Sequence, residues 1–152
     1  MTSAPPVFAV DTSCIIASVC AWHEHHAPAA AEIEQRLMAN ETMVIAAHAA
    51  AEAYAVLTRL PPPHRLSPED ALALIEGNFF DNLVALDTDG YRGFLRETAK
   101  DGITGGRAYD ALIAECALIA KAQTLLTFTA RHFAHLESKG VRVVVPGVRV
   151  SR

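Results

Sequence analysis

Short apolar runs alternate with helix-forming stretches along the whole chain, and this alternation leaves few ways to fold it. Val7-Phe8-Ala9-Val10, Met43–Ala46, Leu83–Leu86, Leu125–Thr127 and Val141–Val145 read as strands. Between them, helices are expected from Thr12 or Ser13 through Val19, over 28–39, over 48–60, from Pro68 to about Phe80, over 88–100 and over 107–122, with a short helical piece at 131–138. Ser67, Pro68 and Glu69 supply an N-cap, a proline at the first helical position and an acid in the first turn. Pro61-Pro62-Pro63 stops the preceding helix. Strands that alternate with helices at this spacing form a mostly parallel sheet covered by helices on both faces, an α/β sandwich.

The 152 residues, 51% of them hydrophobic, are enough for one domain with a core that needs neither disulfides nor structural metal. Cys14, Cys20 and Cys116 are odd in number, lack metal-finger or CxxC spacing, and lie in apolar contexts, so core packing is their expected role. The longest run without Asp, Glu, Lys or Arg, Thr12 to His23, is twelve residues, short of the roughly 18–20 of a membrane span. The first residues carry no basic region of the signal-peptide kind, and a cytoplasmic location is expected. The net charge of −4 is unevenly spread: residues 1–76 hold 3 basic and 9 acidic side chains, residues 77–152 hold 10 and 8. A polyanion would therefore meet mainly the second half.

In an open α/β sheet, ligands collect at the carboxyl ends of the strands. Asp11 directly follows the first apolar run, where a carboxylate at the edge of a core is costly unless solvated, paired or bound to a cation. It could equally cap the helix that follows. Glu52 lies in Ala46-Ala47-His48-Ala49-Ala50-Ala51-Glu52-Ala53-Tyr54-Ala55, and Asp110 in Tyr109-Asp110-Ala111-Leu112-Ile113-Ala114. Each is an isolated acid in apolar surroundings on a different element. Two carboxylates about 4 Å apart repel by about 4 kcal/mol at an effective dielectric of 20, and a divalent cation is the usual compensation. Oxygen ligands select Mg²⁺ or Mn²⁺ over zinc.

Val10-Asp11-Thr12-Ser13, Glu52, the stretch Gly105-Gly106-Arg107-Ala108-Tyr109-Asp110-Ala111-Leu112-Ile113-Ala114, and Leu125-Leu126-Thr127-Phe128-Thr129-Ala130-Arg131-His132-Phe133 together resemble the PIN domains of VapC-type toxins, over about residues 7 to 146 of a single 1–152 domain. The resemblance implies a PIN-like α/β/α sandwich and a Mg²⁺- or Mn²⁺-dependent endoribonuclease. It further implies an enzyme that cuts single-stranded regions of structured RNA, commonly as a homodimer, and is silenced by a VapB-type antitoxin. Asp11, Glu52 and Asp110 match the three principal acids, Ser13 the small polar residue near the first, and Thr127 the threonine before the last acidic position. Thr129 departs from the pattern, because many members carry Asp or Asn there. A second metal would then need water or substrate phosphate to complete its site.

Arg92, Arg96 and Lys100, at i, i+4 and i+8, line one side of a helix, and Arg107 follows. They read either as a solvated face or as a phosphate-contacting stripe. Arg131 and His132 reach phosphate or fix the turn after the fourth strand. His23-Glu24-His25-His26 reads as a surface loop, with a substrate-side role as the other possibility. Glu115 is about 140° around the helix from Asp110 and is not expected to share its ligand sphere. The Ala-rich helix 48–60 with Trp22, Phe79 and Phe80 serves a dimer or antitoxin face, or the core. The competing functions are a PIN-like RNA- or protein-binding module with weakened catalysis, suggested by Thr129, and a metal-dependent phosphatase, which the serine at position 13 disfavours.

Overall fold

The computed structural model describes residues 3–148; residues 1–2 and 149–152, the ends of the expected domain, lie outside the described residues. Five strands, β1 (Val7–Val10), β2 (Thr42–Ala46), β3 (Leu83–Val84), β4 (Thr124–Leu126) and β5 (Arg142–Val144), form one sheet in the order β3-β2-β1-β4-β5. Every neighbouring pair is parallel. The helices are α1 (Thr12–Val19), α2 (His26–Met38), α3 (Ala47–Leu57), α4 (Pro68–Phe79), α5 (Thr88–Lys100) and α6 (Arg107–Ile119), with 3-10 turns at Ala130–His132 and Ala134–Lys139. The expected α/β sandwich is present, with the most apolar early run, β1, at its centre.

That central position explains the composition of the core. Phe8, Ala9 and Val10 are buried, as are Leu125 and Leu126 on β4 and Ile45 on β2, because a parallel strand is covered on both faces. Helices reach the sheet through small side chains, Ala49, Ala50 and Ala53 on α3 and Ala114 and Ala117 on α6. All three cysteines are free and buried, as expected. Phe79 is buried, whereas Trp22 and Phe80 remain exposed.

The elements end where their backbone groups find other partners. The strand expected over 83–86 stops at Val84, since its partner β2 ends at Ala46, opposite Val84, and the chain enters α3. The helix expected to reach residue 60 stops at Leu57. There the Thr58 hydroxyl donates to the Tyr54 carbonyl at 2.8 Å and the Leu66 N–H to the Leu57 carbonyl at 3.0 Å. Three helices close with the same pair of bonds behind a left-handed residue: Asn40 (φ 64°) after α2, Gly102 (φ 70°) after α5 and Lys121 (φ 58°) after α6. Lysine there gives no sequence signal, so the helix is expected to reach Ala122, whereas α6 stops at Ile119.

Gly147 (φ 84°) lies against α2, where an added Cβ would come within 2.8 Å of the Pro28 Cβ. Opposite outcomes follow for two single changes. Gly147→Ala should lower the stability by about 1–3 kcal/mol through strain and clash. Lys121→Gly should raise it by about 0.5–1 kcal/mol by removing left-handed strain. Urea midpoints at unchanged slope would measure both.

Candidate active site

The site is built on the neighbouring carboxyl ends of β1 and β4. Val10 pairs with Leu126, and the Asp11 N–H donates to the Leu126 carbonyl at 3.1 Å, so Asp11 and Thr127 leave the sheet side by side. Asp11 is 3% exposed. Its Oδ1 accepts from the Ser13 hydroxyl (2.7 Å) and the Cys14 N–H (2.9 Å), and its Oδ2 accepts from the Thr127 hydroxyl (2.6 Å). The bond from Cys14 makes Asp11 the N-cap of α1, so the capping reading holds. It does not exhaust the residue. Burial pushes the carboxyl up to about 6, against the pull of the hydrogen bonds from Thr127, Cys14 and Ser13, and the Asp110 carboxylate adds to the rise.

Glu52, on α3, is held through Oε1 by the hydroxyl of Thr12, the first residue of α1, at 2.6 Å. Asp110, in the first turn of α6, places Oδ2 2.7 Å from His132 Nδ1. An ionised carboxylate only accepts, so Nδ1 carries the hydrogen. His132 therefore holds an acid, an outcome outside the two roles expected for it. The Glu52 Oε2 and Asp110 Oδ1 oxygens accept no hydrogen bond among the described residues. Among the described residues, too, no three His, Cys, Asp or Glu side chains form a ready-made ligand cluster.

The donor set fits a hard cation in its chemistry. All three acids offer oxygen donors, two retain an oxygen that accepts no hydrogen bond among the described residues, and Asp11 is a carboxylate whose charge burial opposes. Thr129 adds no charge. Its N–H donates to the Thr127 hydroxyl at 2.9 Å and its own hydroxyl lies 3.2 Å from the same oxygen.

The remaining candidates divide. Arg107 opens α6 one turn before Asp110 and lines a polar cleft of about 300 Å³ with Thr104, His132 and His135. Burial, with Lys139 and Arg107 nearby, lowers the His135 pKa. Arg92 forms a surface ion pair with Asp89 at 2.6 Å, of the kind that contributes little to stability. Arg96 and Lys100 share the exposed face of α5, and Arg131 is exposed in the first 3-10 turn. No hydrogen bond or ion pair joins these four to the acids among the described residues. Glu115 lines an adjoining cleft with Glu97, Asp101 and Lys139, whose lining does not include Asp110. Sequence reasoning missed Thr12 as the holder of Glu52. It also missed the stack of His48 on Tyr109, with ring centroids 4.7 Å apart, which ties α3 to α6. The available signal was position: His48 is one turn before Glu52 and Tyr109 adjoins Asp110.

The pH dependence follows from Asp11. Its folded pKa, about 6, lies above the ordinary 3.8, so as pH rises the unfolded chain releases this proton first. Stability contributed by the protonated group is present below pH 4 and lost between about 4 and 6, a loss of about 3 kcal/mol. Asp11→Asn should therefore unfold at higher urea than the wild type at pH 7.5 in EDTA, with the difference shrinking toward pH 4. A variant less stable at pH 7.5 would contradict this account.

The PIN domain family model matches residues 8–139. The chain is 40% identical to Mycobacterium tuberculosis ribonuclease VapC40 over 119 residues, 78% of this chain and 84% of that protein. It is 39% identical to ribonuclease VapC27 of the same species over 140 residues, 92% and 97% of the two chains. The fold is similar to that of M. tuberculosis VapC20, a sarcin-ricin loop cleaving toxin, with a TM-score of 0.63 at 17% identity, covering 84% of this chain and 94% of that one. It is also similar to VapBC2 from Rickettsia felis bound to a promoter DNA fragment, with a TM-score of 0.65 at 18% identity over 91% and 98%. The family match spans the elements that carry Asp11, Glu52 and Asp110, and with the two ribonuclease relatives it shows that the chain belongs to the VapC branch of the PIN-domain family.

Proposed function

We propose that this chain is a metal-dependent endoribonuclease and the toxin of a toxin–antitoxin pair. The observation that carries the reading is Asp11, a carboxylate buried at the end of the central strand with its charge opposed by burial and by Asp110. The names of its relatives, ribonucleases VapC40 and VapC27, support the reaction class.

Asp11 and Asp110, with Glu52 directly or through water, would hold Mg²⁺ or Mn²⁺. Held there, such an ion would supply polarisation of a phosphate oxygen and a lowered pKa for a bound water. The chain's own residues do the positioning. Ser13, the Cys14 N–H and Thr127 fix the plane of the Asp11 carboxylate, His132 fixes Asp110, and Thr12 fixes Glu52. Preorganisation of this kind removes reorganisation from the chemical step. The free oxygen of Glu52 can orient the water. Arg107 would bind substrate phosphate near the acids, with Arg92, Arg96, Lys100 and Arg131 contacting the strand further away. Because Thr129 is neutral, water or substrate phosphate would complete any second metal site.

Two apolar surfaces suit the partners. A groove of about 600 Å³ between α1, α2 and α4, lined by Val19, Ile33, Leu37, Met43, Leu74 and Phe79, fits an apolar segment of a VapB-type antitoxin. The face carrying Ala50, Ala51, Tyr54, Leu72, Phe80 and Leu83 fits a second copy in a homodimer. No helix among the described residues is long and apolar enough to cross a membrane, and we place the activity in the cytoplasm.

Incubation of the protein with RNA in Mg²⁺, Mn²⁺ or EDTA tests the reading. Cleavage should require the metal, and Asp11→Asn or Asp110→Asn should reduce it by roughly 100-fold or more while unfolding stays cooperative. Full activity in either variant would refute the assignment. Thr129, neutral where many family members carry Asp or Asn, favours a second reading, a binding module with weakened catalysis, which RNA binding without cleavage in any metal would establish. Arg107→Ala should weaken RNA binding in EDTA and reduce the slope of log affinity against log salt by about 0.7, the value for one phosphate contact on a single strand.

A further inference from the structure

A line of rings leads away from the acids. Phe128 lies between Thr127 and Thr129, and its N–H donates to the Ser13 hydroxyl at 3.1 Å, which in turn donates to Asp11. His25 stacks on Phe128, with centroids 4.5 Å apart and planes 15° from parallel. His23 follows at 5.7 Å from His25, Trp22 at 5.8 Å from His23, and His64 stacks on Trp22 at 4.1 Å and 24°. Three separate segments contribute: the turn between α1 and α2, the connection between α3 and α4, and the end of β4.

The turn is folded to present these rings. The His23 N–H donates to the Cys20 carbonyl (2.9 Å), the His26 N–H to the His23 carbonyl (3.0 Å), and the His25 N–H to His23 Nδ1 (3.0 Å). Two consecutive turns thus bring the rings of Trp22, His23 and His25 next to one another, tilted by 42° and 44° between successive rings, while His26 is engaged separately, its Nδ1 2.9 Å from the Ala17 carbonyl. Phe128 packs against the core, whereas Trp22 is 48% exposed and the three histidine rings are only partly buried.

We infer that the row Phe128, His25, His23, Trp22 and His64 is a stacking platform for unpaired bases of the RNA strand that flanks the scissile phosphate. This rests on the reading of the chain as an RNA-cleaving enzyme. Every base has a π-face, so a row of flat rings binds single strands with little dependence on sequence. A duplex keeps those faces covered, and the platform rejects it. The Phe128 end of the row is joined to Asp11 by two hydrogen bonds, so a strand stacked on it would start beside Asp11. A second exposed ring, Tyr109 backed by His48, flanks Asp110 and extends the same chemistry.

Trp22 is the sole tryptophan, so its emission reports on the platform directly. The wild-type protein in EDTA is titrated with a short single-stranded oligoadenylate RNA, a blunt RNA duplex of equal length, and inorganic polyphosphate. Saturable quenching should accompany the single strand alone. Anisotropy of the labelled single strand should show Kd raised about fivefold or more in Trp22→Ala and in His25→Ala, at unchanged salt slope, with Trp22→Phe recovering most of the affinity. Urea unfolding confirms that each variant is folded, and His25→Ala carries the test if Trp22→Ala is not. Unchanged Trp22 emission at saturating RNA, equal quenching by polyphosphate, or Kd within about twofold of wild type in the folded variants would overturn the platform. Cleavage of the same RNA in Mn²⁺ separates the two readings. Cutting without any Trp22 response removes the platform alone, whereas neither binding nor cutting removes the nuclease reading and the platform with it.

Discussion

A carboxylate held out of water at the end of the middle strand organises this molecule. Asp11 is buried because β1 is covered on both faces, and the neighbouring end of β4 supplies the Thr127 hydroxyl that makes the burial tolerable. Its second oxygen starts α1 through the Cys14 N–H and positions Ser13, which then fixes Phe128 on the other strand's extension. One side chain thus joins two strands, a helix and the loop beyond β4. The hydrogen bonds favour its charge and burial opposes it, and burial wins. A site of this kind is less stable than the same fold with a neutral residue would be, and the retained charge is what a cation can use.

The three acids share a design. Each is gripped by a partner from a different element: Asp11 by Thr127, Glu52 by Thr12, Asp110 by His132. For Glu52 and Asp110 the grip takes one oxygen and leaves the other without a hydrogen bond among the described residues. A carboxylate with one oxygen anchored has little freedom left to lose when it ligates a metal or orients a water. The His48–Tyr109 stack extends this logic to the backbone by tying α3 to α6 beside the two gripped acids.

The alternating architecture was legible because strand and helix periods are local properties of the chain. Asp11, Glu52 and Asp110 stood out as candidates for a related reason: each is an acid in an alanine- or valine-rich run. Their partners did not. Thr12 and Glu52 are 40 residues apart, Thr127 and Asp11 are 116 apart, and such pairings depend on which strand ends lie side by side. The aromatic row was hidden for the same reason, since His64 and Phe128 meet the His-rich turn only in three dimensions. The two readings of Asp11, helix cap and candidate ligand, proved compatible, because a cap occupies only part of a carboxylate's accepting capacity. Helix ends were misread where a lysine takes the left-handed position that glycine or asparagine would have marked.

The strand order β3-β2-β1-β4-β5 also sets a sequence of events in synthesis. The strand that leaves the ribosome first occupies the centre of the sheet, and its partner β4 and the helix bearing Asp110 come from the last third of the chain. Asp11 and Glu52 are made early, yet nothing can close the site around them until translation is almost finished. A chain that ends before residue 107 therefore lacks both Asp110 and the Thr127 hydroxyl that holds Asp11, and the arrangement of the three acids cannot form in it.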